Sequence, residues 1–262
     1  MNKHSYRYEL IKNDPGMFDN YIDIVYILTM ENNTQSVNNT QSFMKQINKF
    51  NIHKNIMIQY NKGFKNCKKQ LYKQDIINDM NDSYYHAFLD ALQNNYKNII
   101  IFEDNFCFDY NINKLVVDDI GNFIKNNDYH LYHLGSLFHI SVPTISMHLK
   151  SYFLTSSHGV IYNRDYVYYY IKKYEKGFTK PNDKVWLDLN IIKYTYYKPL
   201  CFQTFTNTKT TSILKEVFKK IYKLFNLDKS YNPGYKIFNI VSLIISFHLI
   251  YLFLNHKNFL GI

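Results

Sequence analysis

The run Asn98-Ile-Ile-Ile-Phe102, ending abruptly in Glu103-Asp104-Asn105, decides how the rest of the chain is read. A short, continuous stretch of β-branched and aromatic residues predicts a central strand covered on both faces, as in parallel α/β sheets. Upstream, Tyr21-Ile-Asp-Ile-Val-Tyr-Ile-Leu28 reads as a second buried strand that opens into the polar loop Thr29–Ser36. Phe43, Ile47 and Phe50 recur at helical spacing, and Ile56-Met-Ile58 reads as a short strand. Residues 61–82 are polar and Lys-rich, which predicts loop with some helix. Ser83 is placed to cap a helix whose apolar positions are Ala87, Phe88, Leu89, Ala91 and Leu92. Downstream come strands at Tyr129–Leu134 and Val160–Tyr162, a helix from Arg164 to Lys176, and another from Asp183 after Pro181-Asn182. Strands alternating with helices predict an α/β domain with a mostly parallel central sheet.

Composition excludes several classes. The 262 residues include 46% hydrophobic and 20% charged, enough to bury a core, and only 8 Gly and 5 Pro, so the chain is neither disordered nor collagen-like. Cys67, Cys107 and Cys201 have no CxxC spacing, which argues against a disulfide scaffold and a structural zinc site. The net charge of +10 suggests nucleic acid at first. Yet only Arg7 and Arg164 among the 31 basic residues are arginine, the side chain whose fork reads bases and grips phosphates. No nucleic-acid partner is therefore expected. The excess of Asn, Lys, Ile, Tyr and Phe is what AT-rich codons produce, as in giant DNA viruses and some protists.

The last fifty residues change character. Over Ile213–Phe225 the apolar residues share one helical face and Lys215, Lys219, Lys220 and Lys223 the other, a basic amphipathic helix suited to an anionic membrane surface or to packing on the domain. After Asn232-Pro-Gly234, the segment Tyr235–Leu254 carries Lys236 as its only charge. About 20 apolar residues suffice to cross a bilayer, so this segment reads as a transmembrane helix. Its polar interruptions Asn239, Ser242, Ser246 and His248 leave a buried core helix as the alternative.

The chemistry is carried by acidic groups. In open α/β sheets, ligands bind beyond the carboxyl ends of the strands, where Glu103, Asp104 and Asn105 fall. Such oxygen donors suit Mn²⁺ or Mg²⁺ bridging the phosphates of a nucleotide; the plainer reading is a strand that ends in a polar turn.

Residues 101–109, IFEDNFCFD, resemble the IFEDDxxF segment of glycosyltransferase family 25, the lipooligosaccharide and procollagen galactosyltransferases. Further segments are similar in the same order: Asp128–Gly135 to its D-x-x-x-L-G strand, Ser157-His158-Gly159-Val160-Ile161-Tyr162-Asn163 to its Thr-His-Ala-Tyr-x-Ile-Ser, Pro181-Asn182-Asp183 to its Pro-x-Asp, and Pro199-Leu200-Cys201-Phe202-Gln203 to its Pro-Leu-x-x-Gln. The family's Ser-His falls on Ser83-Tyr84. The resemblance covers Tyr21 to Gln203. It implies a GT-A fold, a UDP-sugar donor and metal-assisted transfer of galactose or glucose to a glycan or protein hydroxyl with inversion. On it, Glu103, Asp104 and Asn105 hold the metal, Thr29, Ser83, His158 and Gln203 line the donor cleft, and Asp183, with Asp188 second, is the base. Asp183 also suits a helix N-cap and His158 a packed core position.

Three departures stand out. Asn105 replaces the motif's last acidic residue, Tyr84 replaces the family's His with His86 two positions away, and Thr29–Ser36 lacks the family's Arg. A catalytically inactive, membrane-associated binding protein is therefore the alternative function. The expected organisation is a polar segment 1–20, a GT-A-like domain 21–210, a basic connector 211–234, a membrane helix 235–254 and a tail 255–262. With no apolar signal segment in residues 1–20, this implies tail anchoring with the catalytic domain in the cytosol, the alternative being a soluble cytoplasmic protein.

Overall fold

The computed structural model describes residues 5–31, 33–136, 138–155, 159–177, 188, 190–203, 220 and 233–260. The elements in chain order are β1 (Tyr6–Lys12), β2 (Ile24–Met30), α1 (Thr34–Phe50), β3 (Asn55–Asn61), α2 (Ile76–Gln93), β4 (Asn98–Glu103), β5 (Phe106–Phe108), α3 (Lys114–Asn126), β6 (Leu131–His133), β7 (Phe138–Pro143), β8 (His148–Thr155), β9 (Val160–Asn163), α4 (Arg164–Glu175), β10 (Lys193–Tyr196), β11 (Cys201–Gln203) and α5 (Pro233–Leu260). Among the described residues nine strands form one sheet, in the order β1-β3-β2-β4-β9-β6-β10-β8-β7. The sheet is mixed. β3-β2-β4 run parallel, as do β6 and β10, whereas β1, β9 and the β7–β8 hairpin join antiparallel.

Strand alternation sorts the core into two layers. Val25 and Ile27 of β2 pack with Phe43 and Ile47 of α1 and with Val117 and Ile120 of α3. Ile24, Tyr26 and Leu28 face the other way, against Phe88 of α2 and Tyr166 and Tyr170 of α4. Because β2 and β4 are buried on both sides, their sequences are continuously apolar rather than alternating. The chain leaves β2 through α1 to β3 on one side, then leaves β3 through α2 to β4 on the other side of β2. The strand order thus reverses between β2 and β4, where α/β sheets open a binding crevice.

Three expectations change. Residues 6–12 are not a polar leader but an edge strand paired along its whole length with β3. The α2 helix starts a full two turns before Ser83. Asp75 is its cap, accepting from the Asn78 amide at 2.8 Å, and Ser83 lies inside the helix with its hydroxyl donating to the Asp79 carbonyl at 3.1 Å. The expected parallel core is present in β3-β2-β4, but the sheet around it is mixed, with the antiparallel β7–β8 hairpin added at its edge.

The fourth change concerns the tail. Among the described residues no helix is long and apolar enough to cross a membrane, so the expected span at 235–254 is not found. Three of its polar interruptions, Asn239, Ser242 and Ser246, are instead the contact surface of α5 on β7, while His248 is exposed. The His139 amide donates to Ser242 Oγ at 3.2 Å, the Ser141 amide donates to Ser246 Oγ at 3.0 Å, and Asn239 Nδ2 lies 3.1 Å from His139 Nε2. Spaced at i, i+3 and i+7, Asn239, Ser242 and Ser246 cover an edge strand that would otherwise present unpaired backbone donors. The basic helix expected at 213–225 lies outside the described residues apart from the exposed Lys220.

This junction carries a pH dependence. Burial lowers His139 from the ordinary histidine value to about 4. Neutral His139 is thus the folded form, with Nε2 taking the Asn239 amide and Nδ1 facing Ser141 Oγ at 2.9 Å. Since the unfolded chain binds this proton from about pH 6.5 downward and the folded chain does not until about pH 4, stability is lost as pH falls through that window. At about 1.4 kcal/mol per pKa unit the loss is about 3 kcal/mol. Urea unfolding at pH 7 and pH 4.5 should show it, and His139→Gln should flatten the difference.

Candidate functional site

The carboxyl ends of β2, β3 and β4 open into a cavity of about 420 Å³. Each strand delivers one part of its lining: β2 gives Thr29 and Met30, β3 gives Asn61, and β4 gives Glu103, followed by Asp104 in the turn. The start of α1 adds Asn33 and Ser36, and α2 adds Asp79, Ser83 and Tyr84. Parallel strands point their last residues the same way, which is why residues far apart in sequence converge here.

Asp104 is half-buried in this lining. Its Oδ2 accepts from Thr29 Oγ1 at 3.1 Å, and Thr29 Oγ1 in turn accepts from Thr40 Oγ1 at 3.0 Å. Burial raises its carboxyl above the usual aspartate value, while hydrogen bonds from Ser36, Thr29 and Asn39 pull it back. Those partners are neutral, so the site keeps negative charge available for a cation. Glu103 Oε1 accepts from the Tyr84 hydroxyl at 3.1 Å. Tyr84 therefore orients this carboxylate from the position where the family motif has His.

The start of α1 lies beside Asp104, through Ser36 and Asn39, with Asn33 Oδ1 accepting from the Ser36 amide at 3.2 Å, and the exposed Lys65 adds a positive charge to the lining. Lys65 belongs to the loop Gly63–Asn66, which enters through the left-handed Gly63 at φ +78°.

That loop is held by a buried ion cluster which sequence reasoning missed. Lys69 Nζ lies 2.6 Å from Asp79 Oδ1, 2.7 Å from Asn61 Oδ1 and 2.6 Å from the Tyr6 hydroxyl, with Asp82 Oδ2 at 3.4 Å. Asp79 also takes the Phe64 amide at 3.1 Å. Nothing distinguishes Lys69 from its neighbours in a Lys-rich stretch; only the fold shows that it is 6% exposed.

The expected site residues divide as follows. Thr29, Ser83, Glu103 and Asp104 share the cavity. Asn105 sits in the β4–β5 turn and is not part of the lining. Asp188 is outside it too, bonded to Tyr169 Oη at 2.5 Å and beside Lys173 at 3.5 Å, so its carboxyl is held below the ordinary value, chiefly by the Tyr169 hydroxyl. His86 lines a different cavity, 3.7 Å from Asp82. Asp183 and His158 lie outside the described residues, as does the side chain of Gln203. The backbone of Gln203 pairs with Phe106, which places the Pro199–Gln203 segment directly on the strand that follows the acidic turn. Next to it, Gly159 has φ +64°, and a Cβ there would come within 2.3 Å of the Phe102 ring.

Glu103, Asp104, Thr29 and Ser36 offer hard oxygen donors, a set that fits Mn²⁺ or Mg²⁺ rather than a softer metal. Among the described residues no group of three or more His, Cys, Asp or Glu side chains could hold a metal. Two carboxylates leave an octahedral cation's remaining positions to water and ligand oxygens.

No family model matches the chain, and no curated protein does. Solved structures that resemble it include A197 from STIV, at 10% identity and TM-score 0.39, covering 70% of this chain and 85% of that one. Another is a glycosyltransferase involved in the glycosylation of the major capsid of PBCV-1, at 9% identity and TM-score 0.34, covering 58% of this chain and 66% of that one.

Proposed function

We propose that the protein is a metal-assisted glycosyltransferase that moves a hexose, galactose or glucose, from a nucleotide sugar to a glycan or protein hydroxyl. The observation that carries this reading is that Glu103, Asp104, the start of α1 and Lys65 line one cavity at the strand-order reversal. A nucleoside diphosphate needs both charges: Lys65 for its phosphate oxygens, and carboxylates for the cation that travels with them. The motif order from Phe102 to Gln203 narrows the ligand to a nucleotide sugar.

Glu103 and Asp104 would hold the Mn²⁺ or Mg²⁺, with Tyr84 and Thr29 fixing their orientation. When bound, the cation acts as a Lewis acid that neutralises charge on the departing diphosphate. In the inverting displacement, the acceptor oxygen attacks the anomeric carbon as the bond to the diphosphate oxygen breaks. A carboxylate takes the acceptor's proton, and the nucleoside diphosphate leaves with the electron pair. Asp183 is assigned that role through its motif.

The test is turnover of UDP-glucose, UDP-galactose and other nucleotide sugars with Mn²⁺, measured as release of nucleoside diphosphate. Metal-dependent release with at least one donor is expected. No release with any donor, alongside retained nucleotide binding, would instead support an inactive binding protein.

A further inference from the structure

Among the described residues the outer face of α5 is exposed and largely apolar, with His248 exposed among its isoleucines. With Asn239, Ser242 and Ser246 turned onto β7, the residues pointing away are Ile237, Ile240, Ile244, Phe247, Tyr251 and Leu252, between 46% and 62% exposed. They recur at three- and four-residue intervals, a stripe running the length of the described helix. Single exposed apolar residues are ordinary, but a contiguous stripe of this size marks a docking surface. The usual arrangement of a surface helix is inverted: its hydroxyls and amide face the protein and its isoleucines face outward.

A second element extends the stripe. The contacts of Ser242 with His139 and of Ser246 with Ser141 show that α5 and β7 run in the same direction. Continuing past Pro143 leads to the β7–β8 turn, where Ile145 is fully exposed and Met147 55% exposed. From Ser141 to Pro143, the end of β7, is about 7 Å, or about four residues of helix, which brings the start of the turn level with the helix just before Tyr251.

Charge selects the occupant. The sequence leading into α5, residues 209–236, contains seven lysines against only Glu216 and Asp228. A second copy carries the same net charge of +10, whereas an anionic lipid surface attracts it. Apolar helix faces in a basic chain are what acidic headgroups bind.

We infer that α5 and the β7–β8 turn dock the protein in the plane of an anionic lipid surface, the helix lying in the interface rather than crossing it. This does not depend on the glycosyltransferase reading. It is tested by co-sedimenting the full chain with vesicles of phosphatidylcholine and phosphatidylserine, and with vesicles of phosphatidylcholine alone. Binding is expected to the first and to be weaker to the second. Ile244→Glu and Phe247→Glu should each weaken it by roughly tenfold or more, with unchanged circular dichroism. Ile145→Glu, which leaves α5 untouched, should weaken it as well and serves if a helix variant fails to fold. Absence of binding to either vesicle overturns the inference. So does a concentration-dependent dimer, seen by analytical ultracentrifugation, that the same substitutions dissolve, because a second copy then covers the face.

Discussion

Asp104→Ala is expected to lower metal-dependent sugar transfer by about a thousandfold, because the Lewis-acid contribution of several kcal/mol is lost at about 1.4 kcal/mol per tenfold. The same change should leave the protein folded and no less stable. Burial raises the Asp104 carboxyl, so its ionised form is held in the folded state at a cost. A carboxyl whose folded pKa lies above its unfolded one adds stability when protonated. Wild-type stability should therefore gain a contribution as pH falls through that raised pKa, and Asp104→Asn should lack it. Activity assays and urea unfolding of the two proteins across pH 4 to 7 check both halves. Loss of activity together with a large loss of stability would mark Asp104 as a structural residue instead.

Lys69→Met should cost about 3–5 kcal/mol, since it strands Asp79 and Asp82 in a buried setting without their cation. For a domain of ordinary stability, about 5–15 kcal/mol, that is a large share of the total. Adding Asp79→Asn and Asp82→Asn to Lys69→Met should recover part of the loss, because the uncompensated charges are then gone. The Gly63–Asn66 wall also hangs on this cluster through Asp79 and the Phe64 amide, so KM for the donor should rise more than kcat falls. A cost below about 1 kcal/mol by urea unfolding would mean that the cluster is solvated as surface pairs are.

The buried centre was legible in the sequence because its signal is local. Ile99–Phe102 and Ile24–Leu28 are apolar on both faces, as central strands are, and the acids that follow Phe102 lie at the carboxyl end of the sheet. The Phe43 and Ile47 spacing gave α1 its core face. What escaped depends on pairing at a distance. β1 carries Arg7, Glu9 and Lys12 among its residues, as an exposed edge does, and is recognisable only from its register with β3. Ser83 looked like a cap because Ser caps helices, but the stronger signal was Asp75 two turns earlier, hidden in a polar stretch. In α5 the composition was read correctly as apolar and its orientation was not. The stripe Asn239-Ser242-Ser246 seemed to interrupt a membrane span, whereas its spacing is that of a helix face hydrogen-bonded to a strand.

For the candidate site, the strand ending placed Glu103 and Asp104 together and the family resemblance grouped Thr29 and Ser83 with them; Thr29 reaches the cavity from the end of β2 and Ser83 from inside α2. Sequence reasoning could not find Asn61, Asp79 or Lys69, whose roles arise from the loop between β3 and α2 folding back over the crevice. It also placed Asp188 with the reacting groups, whereas Tyr169 and Lys173 hold that side chain against α4.

The most direct measurement is a calorimetric titration of UDP into the full chain, with Mn²⁺ and with chelator. Binding that requires Mn²⁺ and is abolished in Asp104→Asn is expected if the crevice between β2 and β4 is a nucleotide-sugar site. Absence of nucleotide binding, or metal-dependent binding that Asp104→Asn leaves intact, would contradict it.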